Sequence, residues 1–174
     1  MRAPLVLAAL AIPLVAGTAQ AQSVTGTVSI DGSVANRCSL SINSQTISVG
    51  EMSLPADGKL NAAVVNGQNR NLTGFCNGSA ATMAVEAQPL LNITSPGAPP
   101  SGFDNRVNYT ATAAAGAASG TDSSTVAGAG TAVALGQFNG NILVTLSAAS
   151  SPTSGILVSG TYQGQVLVTL NPNP

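Results

Sequence analysis

The sequence predicts an all-β fold, a sandwich of two sheets. Three observations carry that expectation. Apolar and polar residues alternate with a period of two along most of the chain, as in half-buried strands. Clusters of Gly, Pro, Asn and Asp separate these runs at short intervals. Helical periodicity is hard to find beyond the first apolar stretch.

The strands follow in order. In residues 23–35, Val24, Gly26, Val28, Ile30, Gly32 and Val34 share one face, and Ser23, Thr25, Thr27, Ser29, Asp31 and Ser33 the other. Cys38, Leu40 and Ile42 continue the alternation, and Ile47 and Val49 predict a further short piece. Pro55-Ala56-Asp57-Gly58 marks a turn. Strands are expected over 60–65 and 72–76, each followed by an Asn-Gly turn. Met83, Val85 and Ala87 predict the next strand, residues 92–104 an exposed Pro-rich loop, and Val107, Tyr109 and Ala111 another strand. Residues 113–130 are mostly Ala, Gly, Ser and Thr, with little side chain to bury, and read as a loop. Asn139-Gly140 is a type I′ hairpin signal. It sets Gln137 opposite Ile142, Leu135 opposite Val144 and Val133 opposite Leu146. In the last strand, residues 161–170, Tyr162, Gly164, Val166, Val168 and Leu170 share a face.

The first residues predict the compartment. Arg2, an apolar run from Leu5 to Gly17, and Ala19-Gln20-Ala21 have the form of a signal peptide cleaved after Ala21. The apolar run is shorter than the ~20 residues a membrane span requires. The remainder, 22–174, is one domain with no further stretch long enough to insert in a membrane. In an exported chain the two cysteines, Cys38 and Cys76, are expected to form a disulfide. A redox or metal pair is the rival reading, and neither a C-x-x-C spacing nor a histidine supports it.

Composition excludes several functions. Five basic and six acidic residues make up 6% of the chain, against about 25% in ordinary domains. No basic face for nucleic acid or an anionic membrane can be built from them. The absence of histidine removes the Ser-His-Asp and Cys-His nucleophiles and the commonest zinc sites. Asp31, Glu51, Asp57, Glu86, Asp104 and Asp122 form no close pair in sequence, and most lie at expected turns. The expectation is therefore a non-enzymatic protein without metal or cofactor.

The segment 22–36 is the positive signal. It precedes the first cysteine and alternates strictly. It is either the first strand of a self-complete sandwich or a strand donated to a neighbouring subunit by β-augmentation.

At this point the chain resembles the pilins of chaperone–usher fimbriae, in their spore coat protein U-like, archaic branch. The resemblance is carried by the signal peptide, the Val24–Val34 alternation, the Cys38 and Cys76 spacing and Asn105-Arg106-Val107-Asn108-Tyr109. The closing Gly160-Thr161-Tyr162-Gln163-Gly164-Gln165-Val166-Leu167-Val168-Thr169-Leu170 completes it. It implies an immunoglobulin-like sandwich, residues 37–174, lacking its last strand. Val24, Gly26, Val28, Ile30, Gly32 and Val34 would be the donor face, and Val166, Val168 and Leu170 one wall of the acceptor groove. Cys38 and Cys76 would tie the first two core strands together. The implied partners are copies of the chain or related pilins, a periplasmic chaperone and an outer-membrane usher, with export through the periplasm to a surface fimbria. The other reading is a secreted surface or coat protein that binds a carbohydrate or a protein.

Overall fold

A computed structural model describes residues 21–173, so the expected signal peptide lies outside the described residues except for Ala21. The described chain is all-β: β1 (Cys38–Ile42), β2 (Asn69–Cys76), β3 (Thr82–Asn92), β4 (Phe103–Asp104), β5 (Arg106–Ala115), β6 (Ala118–Ser123), β7 (Val133–Ala134), β8 (Phe138–Ser150), β9 (Ile156–Leu157) and β10 (Tyr162–Asn171). Residues 21–33 belong to a separate unit from 34–173.

Within the larger unit one sheet runs in the order β1-β2-β8-β5-β3-β10, with β6 on β5 and β7 on β3. The sheet folds over at β5. That strand pairs β8 and β6 along most of its length but β3 only through Arg106 and Val107. The result is a nearly closed sandwich or barrel-like sheet, with a small parallel pair, β4 and β9, at one end. The core lies between Met83, Val85 and Ala87 of β3 and Ala111, Ala113, Ala115, Ile142, Val144 and Leu146 of β5 and β8, all buried. Cys38 and Cys76 are directly opposed in the β1–β2 ladder and disulfide-bonded, with Cα atoms 4.1 Å apart.

Four local expectations are corrected. The hairpin at Asn139-Gly140 does not form, because both residues lie inside β8, opposite Phe75 and Gly74 of β2. Reversal there would forfeit the ladder to β2, which outweighs a local turn preference. Val133 pairs Met83 instead of Leu146. Residues 60–65 hold a 3₁₀ turn, Ala62–Val64, instead of a strand, and its end puts Val65 in the core. Residues 113–130 are no simple loop. Ala113 and Ala115 complete β5 and Gly120 sits inside β6. A Cβ on Gly120 would come within 3.3 Å of Val85 Cγ2, so small residues are what this wall accommodates. Ile47 and Val49 both pack against the core, but their segment joins no ladder.

Two buried polar groups hold the end of the sandwich where β10 begins. Asn92 donates to the Val158 and Ser159 carbonyls and accepts from the Thr94 and Ser95 amides. The Asp104 carboxylate accepts from Thr153 N–H, Thr153 Oγ and Gly155 N–H, the last at 2.8 Å. Burial alone would raise its pKa; the hydrogen bonds from Gly155, Thr153 and Ser151 outweigh burial and hold it below the usual carboxylate value. A depressed folded-state pKa adds stability that is full above the ordinary carboxylate range and is lost as pH falls through the lowered value. Asp104→Asn should therefore flatten the acid limb of the stability–pH curve, read as unfolding midpoint between pH 2 and 6. An acid limb identical to that of the parent chain would contradict this assignment.

Candidate functional site: an open seam beside the last strand

β10 ends the sheet. Its inner edge pairs β3 from Tyr162 to Asn171, and its outer edge has no ladder partner among the described residues. Facing that edge is the segment after β1, residues 43–53, which is irregular and equally without a continuous ladder. Between them lies a groove of ≈ 980 Å³.

Its chemistry follows from strand alternation. Val166 and Val168 point inward from β10, and Leu40, Ile47 and Val49 come from the opposite side. Leu72, Leu90, Val144, Leu146 and Leu157 complete an apolar floor. The free edge of β10 and the unladdered segment 43–53 thus border a trough with an apolar floor and polar rims. An extended segment can fill it by hydrogen-bonding along a strand edge and seating alternate side chains. Leu170, the third residue expected in this wall, packs against the core but does not line the groove.

Residues to which the sequence assigned no part in the groove set the shape of the seam. Arg70 Nε donates to the Thr46 carbonyl at 2.9 Å, pinning the loose wall to β2. Glu51 accepts from Ser53 Oγ and N–H and turns the wall at its far end; the Ser53 hydroxyl, then its amide, lower the Glu51 pKa. Tyr109 Oη lies 2.6 Å from the Gln88 carbonyl and 3.0 Å from that of Gln165. It bridges β3 and β10 where their register slips between Gln163 and Gln165. Burial pushes the Tyr109 phenol up to about 12, so it stays a neutral donor at physiological pH. Gly164 is required at that slip, since a Cβ would meet the Pro89 carbonyl oxygen at 2.6 Å.

The candidate donor residues lie in residues 21–35, which carry no strand. Val24, Val28, Ile30 and Val34 are between 86% and 93% exposed, and nothing lies within 4 Å of a Cβ built on Gly26 or Gly32. The alternation is real, but a strand needs a partner to complete its hydrogen bonds. Residues 35–37, at the start of the larger unit, are held firmly within it. Asn77 Oδ1 accepts from Arg37 N–H at 2.6 Å, Asn77 Nδ2 donates to the Ala35 carbonyl, and Asn36 Nδ2 donates to the Asn173 carbonyl.

Among the described residues no three Cys, Asp or Glu side chains cluster to hold a metal, every buried polar side-chain atom is hydrogen-bonded, and no helix is long and apolar enough to cross a membrane. Comparison with models of known families, with curated proteins and with solved structures gives no match for this chain.

Proposed function

We propose that this chain is a non-enzymatic structural subunit of a bacterial surface fimbria, exported through the periplasm and polymerised by strand donation. In this reading the body is an immunoglobulin-like sandwich short of one strand. The missing strand is residues 22–35 of another copy, with Val24, Val28, Ile30 and Val34 seated in the seam. A periplasmic chaperone strand covers the seam first, and an outer-membrane usher exchanges it. The resulting fibre serves adhesion or biofilm formation.

One observation carries the reading: the unpaired edge of β10 stands over a trough with an apolar floor, while the same chain holds an unladdered segment with matching alternation. Such an edge left bare is an aggregation hazard, and a dedicated occupant removes it.

The test is deletion of residues 22–35. The shortened chain should not polymerise, yet should capture a synthetic peptide of that sequence as a one-to-one complex that survives gel filtration. A folded body that ignores the peptide would rule out strand donation.

A further inference from the structure

If a donated strand fills the seam, the body that donates it must also rest somewhere, and the structure limits where. We infer that it docks on the end of the sandwich formed by Leu54, Ile93, Phe103 and Ile156, flanked by Glu51 and Asp57. This inference rests on the strand-donation reading and adds to it a second, body-to-body interface between copies.

The first constraint is tether length. Val34 is the last apolar residue of the donor face, and only Ala35, Asn36 and Arg37 separate it from Cys38 at the start of β1. A fully extended chain covers roughly 14 Å over that stretch. The tether is shorter still in effect, because Asn77 holds both Ala35 and Arg37 against the body. A donor with Val34 in the seam therefore abuts the end of the seam.

The second constraint selects the end. Asn36 is bonded to Asn173, just beyond the end of β10, so the root of each copy's own donor segment lies at that end. A donor with Val34 at that end would bring its body onto the acceptor's own root. The opposite end, near Thr161 and Tyr162, is free of that conflict. The donor then runs antiparallel to β10, and successive bodies join head to tail, as an open heterologous fibre requires.

That opposite end has the surface of an interface. Phe103 pairs Ile156, Ile156 crowds Gly58 in the turn after Leu54, and the Ile93 amide donates to the Thr161 carbonyl. All four large side chains are exposed, from 37% for Leu54 to 51% for Ile93. Glu51 and Asp57 are exposed beside them, with Lys59 as the nearby cation. The arriving root is complementary: Arg37 is exposed, and Phe75, near the Asn77 clamp, is 42% exposed. Opposite charges at the rim favour encounter and fix orientation, while apolar contacts at the centre supply adhesion.

The chain contains no tryptophan, which makes Phe103→Trp a clean reporter. Full-length F103W polymer should emit at shorter wavelength than the same chain capped with excess 22–35 peptide, because only the polymer brings a second body. Independently, Arg37→Glu should slow elongation about tenfold at low salt and little at high salt. Adding Asp57→Arg to that variant should restore the rate. Capture of the 22–35 peptide should be unchanged throughout. Equal emission from polymer and capped chain, or wild-type elongation by R37E, overturns the docking surface while leaving strand donation standing. Loss of peptide capture by the parent chain overturns both.

Discussion

A chain carrying Ile30→Asp should remain a folded monomer and cease to form fibres. Ile30 is 92% exposed before assembly, so the substitution removes nothing from the body and its unfolding midpoint should not move. In a filled seam the same side chain would lie over an apolar floor. Burying an isoleucine there contributes about 1.5–3 kcal/mol. Placing a carboxylate in its stead adds a desolvation cost of several kcal/mol or forces it to protonate. The combined loss is on the order of 5 kcal/mol, or several thousandfold in affinity. Ser29→Asp, one residue away on the other face, is the control and should polymerise. Light scattering and electron microscopy read the outcome, with a thermal melt of each monomer. Fibres from Ile30→Asp at the parental yield would show that this face is not donated.

Replacing Cys38 and Cys76 together by alanine should produce the largest loss of stability. β1 is an edge strand, bonded only to β2, and the disulfide joins the two at a directly opposed pair. The chain-entropy model assigns a loop of this length about 4 kcal/mol. For a domain of this size that corresponds to on the order of 10–15 °C in midpoint. The loss should reach the seam as well, because Leu40 lines it and residues 43–53 form its outer side. Peptide capture should weaken in parallel with stability. The parent chain treated with reductant should match the double variant by circular dichroism; an unchanged midpoint in both would show that packing alone secures β1.

Much of the sheet was legible because alternation is a local signal. β1, β3, the first half of β5 and all of β10 follow from residues two apart. The disulfide followed from compartment and count. What failed were inferences that depend on partners. Asn139-Gly140 has the local chemistry of a turn, but β8 gains ladders to both β2 and β5 by running straight through it. Ala113 and Ala115 looked too small to build a core, yet they are buried in it with much larger side chains. At the seam, Val166 and Val168 were readable from the last strand. Arg70, Glu51 and Tyr109 were not, since each acts on backbone that is distant in sequence or irregular in shape. The Arg70 contact to Thr46 spans 24 positions, and periodicity carries no such information.

The small-residue wall divides the core into two parts with opposite mutational responses. At Met83, Val85 and Ile142, all almost fully buried, replacement by smaller residues opens a void, and the cost grows with the atoms removed. At Ala113, Ala115 and Gly120 nearly every replacement adds atoms, so the failure is steric wedging of one strand away from its neighbour. Random variation across this chain thus meets a floor on one side of the sandwich and a ceiling on the other. Compensation can come only from paired changes in which one side shrinks as the other grows.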